Sequence, residues 1–115
     1  MTIHPALAKL EASLSDTTDV YINRGIDAEG YIAGLVSDIR AHICEPFPVS
    51  ATVMEPGFPD AAPGSIVSGL CIAHRAGYWL VYSVERDRFY CFWGHDPENL
   101  GAHGIFGSPL SCWSA

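Results

Sequence analysis

Two histidines and two carboxylates lie close together near the C-terminal end of the chain. His95, Asp96, Glu98 and His103 fall within nine residues of a glycine-rich segment. Imidazole and carboxylate groups ligate divalent metals and act as general acids and bases, so this segment could form a small active or metal site. The spacing matches neither HExxH nor paired CxxC, and Asp96-Pro97 is also a common start of a turn. We therefore expect no metal or cofactor, and name His95 and His103 as the ligands if one binds.

Four cysteines are spread widely along the chain, at Cys44, Cys71, Cys91 and Cys112. This spread is typical of reduced, buried thiols in a cytosolic protein, with two disulfides in a secreted form as the alternative. The sequence also lacks a G-x-S-x-G nucleophile elbow and a glycine-rich phosphate loop. These features together predict a protein that is not an enzyme.

The charge balance is acidic and uneven. Thirteen Asp+Glu against six Lys+Arg give a formal net charge of −7, and residues 1–65 hold nine of the acids but three of the bases. Nucleic-acid binding needs a basic surface, so this balance argues against it. The acids of the N-terminal part predict either a solvated helical face or a surface that attracts a basic partner.

Two amphipathic helices are expected in the N-terminal part. The first runs from Ile3 to Leu14, with Pro5 in its first turn. A short extended segment follows at 20–22. The second helix runs from Asp27, a good N-cap, to Ile43, and Pro46 is expected to end it because the residue before a proline avoids the helical region.

Strands dominate the rest of the sequence. The segments 66–75, 78–85 and 88–95 alternate β-type residues around two-residue turns, which predicts an antiparallel three-strand meander. A further strand is possible at 49–55, inside a proline-rich loop region at 45–65, and residues 105–106 and 110–113 are expected to add edge strands or to cover a face of the sheet. The predicted fold is a single α+β domain over 1–115, in which the two N-terminal helices pack on a mainly antiparallel sheet made of the meander and one or two further strands. Its parts are a helical part (1–45), the proline-rich loop region, and the meander with its glycine-rich C-terminal segment (66–115).

The turns predict the register of this meander. Arg75 should face Tyr78, and Glu85 should face Arg88. One face then carries Leu70, Ile72, His74, Trp79, Val81, Ser83, Tyr90, Phe92 and Gly94, and the other carries Gly69, Cys71, Ala73, Leu80, Tyr82, Val84, Phe89, Cys91 and Trp93. Both faces are apolar, so either both are covered or part of the aromatic face around Trp79 and Tyr90 meets a partner. Cys71 and Cys91 would flank Tyr82 on one face, too far apart for a disulfide.

The N-terminus does not resemble a secretory signal, because Lys9 and Glu11 interrupt its apolar residues. No uninterrupted apolar run reaches the length of a membrane span. We therefore expect a cytoplasmic protein that does not enter the membrane, with an oligomeric state that the sequence does not indicate.

Small size, acidity and abundant aromatic residues are typical of bacterial immunity proteins, although no family motif supports that comparison. We expect a binding protein that blocks the active site of a basic toxin domain, such as a nuclease. The alternatives are a small enzyme or metal-binding domain that uses the loop at 95–103, and a ligand-binding or homo-oligomeric module that uses the aromatic face. The predicted partner-binding residues are Asp16, Asp19, Asp27, Glu29, Asp60, Trp79, Tyr90, Asp96 and Glu98.

Overall fold

A computed structural model describes residues 4–17, 20, 22 and 24–114 of the chain. The described residues form three helices and six strands, which confirms the predicted α+β class and the mostly antiparallel sheet. In chain order the elements are α1 (Pro5–Ser13), α2 (Ala28–Ala41), β1 (Ile43–Val53), β2 (Ile66–Arg75), β3 (Tyr78–Ser83), β4 (Arg88–Trp93), β5 (Leu100–Ala102), β6 (Phe106–Gly107) and α3 (Pro109–Trp113).

Five of the strands close into a barrel. They pair in the order β3-β2-β1-β5-β4, and β3 also pairs with β4, which completes the ring. A ring of five strands cannot alternate in direction all the way round, so one pair must be parallel. That pair is β1 and β5, in register from Ala51 opposite Leu100 to Val53 opposite Ala102. The short strand β6 extends the pairing of β4 beyond β5.

Two separate apolar cores follow from this closure, one inside the barrel and one between its outer wall and the helices. The barrel interior consists of Val49, Ala51, Val53, Phe58, Val67, Cys71, Trp79, Val81, Tyr90, Phe92, Leu100 and Ala102. The helix-side core consists of Ala6, Leu10, Leu14, Ile39, Ile72, Ala73, Leu80, Tyr82, Phe89, Cys91, Leu110, Cys112 and Trp113. Both faces of the meander are therefore covered.

Helix α1 begins two residues later than the sequence indicates, at Pro5. Its N-cap is His4, whose ring Nδ1 accepts a hydrogen bond from the backbone N–H of Ala6 at 3.0 Å. Ile3, where the helix was expected to begin, lies outside the described residues. So does Tyr21 of the predicted extended segment, while its neighbours Val20 and Ile22 belong to no strand.

The prediction for residues 42–48 is wrong, because the second helix ends at Ala41 and β1 begins at Ile43. Pro46 and Pro48 lie within this strand. A proline is compatible with a strand where its missing N–H faces away from the neighbouring strand. Over 43–50, the described residues pair β1 with β2 on one side, and pairing with β5 starts only at Ala51. Pro48, opposite Leu70, therefore lies on an edge that is open on its other side, and Pro46 lies in the irregular stretch between the paired residues Ile43 and Phe47.

The meander keeps one predicted turn and changes the other. Arg75 lies opposite Tyr78 as expected, but Arg88 pairs with Ser83 rather than with Glu85. The two-residue turn at Ala76-Gly77 uses the positive φ of Gly77, at 84°, whereas Arg86-Asp87 contains no glycine and the positive φ there falls on Asp87, at 50°. The turn consequently widens to four residues, and the shift of two leaves the faces of β3 and β4 unchanged.

A β-bulge between Cys71 and Ala73 changes the faces of β2. Cys71 points into the barrel and Ile72 points towards the helices. The prediction that Cys71 and Cys91 share a face is therefore wrong, because Cys91 belongs to the helix-side core. The four thiols are free.

Candidate binding surface

The loop that joins β4 to β5 uses its acidic residues to form a turn. The side-chain Oδ1 of Asp96 accepts a hydrogen bond from the N–H of Glu98 at 3.0 Å, and its carbonyl oxygen accepts one from Asn99 at 2.9 Å. The ring of His103 packs edge-on against Trp93, with the centroids 5.3 Å apart. Across the described ranges, no three His, Cys, Asp or Glu side chains are placed to share a metal ion. The structure thus does not gather this loop into one site.

The cysteines are poor nucleophiles because burial disfavours the thiolate. Desolvation raises the pKa of Cys91 to about 12. It also raises the pKa of Cys71 and that of Cys112, whose side chains lie inside the two cores. Cys44 is only half-buried, yet burial raises its pKa as well.

The aromatic face that was considered for partner binding is the interior of the barrel. Trp79 is 9% exposed and Tyr90 is 1% exposed. The indole N–H of Trp79 donates a hydrogen bond to the carbonyl oxygen of Gly94 at 2.8 Å, and the hydroxyl of Tyr90 accepts from Arg88 at 3.0 Å. A partner could touch these rings only by opening the barrel, so the placement of both residues contradicts their predicted role.

Asp60 belongs to a clamp across one end of the barrel. Both Arg86 and Arg88 donate to its carboxylate, and the Arg88 guanidinium lies 4.5 Å from the centre of the Phe106 ring. Phe58 in the same loop is buried, with its ring 5.2 Å from that of Tyr90. These contacts hold the proline-rich loop against the barrel, and the carboxylate of Asp60 is paired with two arginines of the same chain.

Ion pairs also neutralise much of the helix side. Lys9 pairs with Asp87 at 3.0 Å, Arg40 pairs with Glu11 at 3.0 Å, and Arg75 pairs with Asp38. Together with the clamp on Asp60, these contacts pair five of the six Lys+Arg with four carboxylates. The cations of this chain are thus largely compensated by its own acids.

The other predicted acids occupy three separate places. Asp27 and Glu29 lie exposed at the start of α2, while Asp96 and Glu98 lie exposed in the β4–β5 loop. Asp16 lines a cleft of about 300 Å³ together with Lys9 and Asp87. Asp19 lies outside the described residues. No ion pair joins Asp27, Glu29, Asp96 or Glu98 to another described residue.

One part of the outer wall of the barrel is left uncovered by the helices. In β1 the exposed residues alternate with the buried Val49, Ala51 and Val53, and in β2 they flank the buried Val67. The hydroxyls of Ser50 and Ser68 are hydrogen-bonded to each other across the two strands at 2.8 Å. We call this surface the open wall, and it consists of Pro48, Ser50, Thr52, Ile66 and Ser68.

Two grooves cross the open wall and meet at Ser68 and Gly69, forming one continuous band. The first has a volume of about 410 Å³ and ends at Glu98. The second has a volume of about 290 Å³ and ends at Glu85. The band is lined by Pro48, Val49, Ser50, Ser68, Gly69, Leu70, Tyr82, Ser83, Val84, Glu85, Pro97 and Glu98.

Of the residues that line this band, the sequence predicted only Glu98 for partner binding, and it missed the carboxylate of Glu85 together with the neighbouring Val84. Val84 is 68% exposed, and Glu85 is exposed beside it in the turn between β3 and β4. The expected pairing of Glu85 with Arg88 placed both residues within the sheet. The signal that could have placed them in a turn was the sequence Arg86-Asp87, which lacks the glycine or asparagine of a two-residue turn.

A phenol, a carboxylate and an amine meet next to the same turn. The hydroxyl of Tyr82 donates to Asp87 Oδ1 at 2.6 Å, and Lys9 Nζ lies 3.0 Å from the same oxygen. Donation to the carboxylate favours the neutral phenol and raises the pKa of Tyr82 to about 12. The same two contacts lower the pKa of Asp87. The group links α1 to the meander.

This group predicts a loss of stability in alkali. Because the folded-state pKa of Tyr82 is raised, its stabilising effect is complete below about pH 10 and is lost as the pH rises towards 12. The Tyr82→Phe variant should therefore lose roughly 3–5 °C less in melting temperature than the wild type between pH 9 and pH 11.5. Circular dichroism melts measure this difference, with Tyr31→Phe in α2 as the control. Parallel curves for wild type and Tyr82→Phe would refute the assignment.

Comparison of the chain with protein-family models, curated proteins and solved structures found no match. Within the described ranges, none of the helices has the length and apolar character that crossing a bilayer requires. The function must therefore be argued from the surface chemistry of the chain itself.

Proposed function

We propose that this chain is a small acidic binding protein that neutralises a basic protein partner in the cytoplasm, in the manner of a bacterial immunity protein and its toxin. The observation that supports this proposal is the distribution of ion pairs. Five of the six Lys+Arg are paired within the chain, while exposed carboxylates such as Glu29, Glu85 and Glu98 make no ion pair with a described residue. The net charge of −7 is thus presented to solvent largely as uncompensated acid.

Such a surface favours association with a cation-rich protein. Opposite net charges steer two proteins together and raise the rate of encounter, most strongly at low salt. A nuclease that binds phosphates has a cationic active cleft, and carboxylates paired with its Lys and Arg side chains would exclude the substrate. The closed barrel supplies a pre-ordered surface, which lowers the entropic cost of docking.

The test uses the polypeptide encoded immediately upstream of the gene for this chain. Expressed alone in a bacterial host, this polypeptide should arrest growth, and co-expression of the acidic chain should restore growth. The purified pair should form a 1:1 complex whose Kd rises at least tenfold between roughly 50 and 300 mM NaCl, because salt screens the attraction. An upstream product that is harmless, or toxicity that persists with no complex at low salt, would overturn the proposal.

A further inference from the structure

We infer that the basic partner docks on the open wall, along the band between Glu98 and Glu85, rather than on the helices. This inference rests on the proposed function, because it assigns the surface that the proposed partner would use. The band is continuous, since its two grooves share Ser68 and Gly69. It crosses β1 and β2 and reaches the end of β3, so a partner that lies along it contacts several strands of a rigid wall.

The charge of the band indicates the chemistry of its occupant. A carboxylate lies at each end, and among the described residues no Lys, Arg or His lines either groove. Between the carboxylates lie small hydroxyl side chains and the exposed Val84. The band runs over the outside of β1 and β2, from the loop before β5 to the turn after β3. The fitting occupant is a protein surface with a Lys or Arg side chain for each end of the band and a small apolar contact between them.

Apart from Asp27 and Glu29 at the start of α2, which the comparison variant below tests, the helix side is a weaker candidate for the same partner. Glu11 is paired with Arg40, and Asp38 is paired with Arg75, so these acids already face cations of the chain. The cleft that contains Asp16 also contains Lys9 and Arg88. A basic partner would have to displace or approach these cations, whereas the band opposes it with none.

Strand addition is also disfavoured as the mode of docking. The edge of β1 over residues 43–50 carries Pro46 and Pro48, which have no N–H to donate to an added strand. The partner is therefore expected to lie across the wall and to contact side chains.

The experiment measures Kd for the upstream-encoded polypeptide by calorimetry at about 100 mM NaCl with four forms of this chain. The test variant is Glu85→Lys with Glu98→Lys. Both side chains are exposed and make no ion pair with a described residue, so the fold should tolerate the change. The comparison variant is Asp27→Lys with Glu29→Lys on the helix side, which changes the net charge by the same amount. The fourth form, Ser68→Arg, blocks the centre of the band.

We expect Glu85→Lys with Glu98→Lys to raise Kd at least 100-fold, Ser68→Arg to raise it at least 30-fold, and the helix-side variant to raise it less than fivefold. Melting temperatures within a few degrees of the wild type confirm folding, and Glu85→Gln with Glu98→Gln replaces the reversal if it does not fold. If the band variant and the helix-side variant raise Kd equally, net charge alone explains the binding and the inference is overturned. A loss confined to the helix-side variant would also overturn it, and would leave the proposed function standing. Absence of binding by the wild type would instead overturn the proposed function.

Discussion

Replacement of Gly69 by alanine is expected to destabilise the folded chain by about 3 kcal/mol, which corresponds to a fall of roughly 10 °C in melting temperature. A Cβ at this position would lie 2.6 Å from a methyl group of Val81 and 2.7 Å from the carbonyl oxygen of Tyr82. The methyl group can rotate away, but the carbonyl oxygen is part of the backbone of β3. The added atom must therefore push β2 away from β3, where the barrel is tightly closed.

The matched control for Gly69→Ala is Gly34→Ala in α2. Apart from the backbone of α2 itself, a Cβ at Gly34 would meet no atom of the described residues within 4 Å, and alanine is the better helix former. This variant should be more stable than the wild type by about 0.5–1 kcal/mol. Urea denaturation of both variants checks the pair, with the unfolding midpoint read at constant slope. A Gly69→Ala midpoint within error of the wild type would show that the two strands do not approach as closely as described.

Replacement of Asp38 by alanine is expected to destabilise the chain by about 2–3 kcal/mol. The Asp38 carboxylate accepts a hydrogen bond from the indole N–H of Trp113 at 2.7 Å and from the guanidinium of Arg75. Trp113 is 2% exposed, so its N–H would lose its partner within the helix-side core. The Arg75 guanidinium also lies 4.9 Å from the centre of the Trp113 ring, so the variant loosens the contacts that join α2, β2 and α3.

Two further variants separate the contributions at Asp38. Asp38→Asn keeps an oxygen that accepts from Trp113 but removes the charge that holds Arg75, and it should cost about half as much. Glu11→Ala breaks an ion pair whose two side chains are half-exposed, and it should cost about 0.5 kcal/mol or less. Thermal and urea unfolding measure all three variants. If Asp38→Ala is no worse than Glu11→Ala, the contact with Trp113 contributes nothing to stability.

Local sequence patterns predicted an element correctly where residues that are neighbours along the chain decide its structure. The helical spacing of apolar residues predicted α2 to within two residues at its C-terminal end, and Ala76-Gly77 predicted the turn that places Arg75 opposite Tyr78. Errors arose where the choice depends on distant partners. A proline after a helix can end it in a loop or begin an edge strand, and only the pairing of β1 with β2 decided the outcome for Pro46.

The candidate surface was predictable only in part. The acids at Asp27, Glu29, Asp96 and Glu98 are exposed as expected, because charged side chains avoid burial unless they are paired. The role of Asp60 was not predictable, since Arg86 and Arg88 lie more than twenty residues away along the chain and meet it only through the fold. Glu85 escaped notice because a shift of two residues in one hairpin moved it from the sheet into a turn.

By itself the sequence determined the α+β class, the acidic balance and the two apolar faces of the meander, because each of these depends on residue type and local period. The tertiary structure alone decided what covers the second face. Alternation along a strand gives the same pattern for a sheet between two layers and for a sheet that closes on itself. Closure here depends on the parallel pairing of Ala51–Val53 with Leu100–Ala102, strands far apart in the chain. Because that pairing closes the barrel, Trp79 and Tyr90 are buried in its interior, and the band between Glu98 and Glu85 is on its outside.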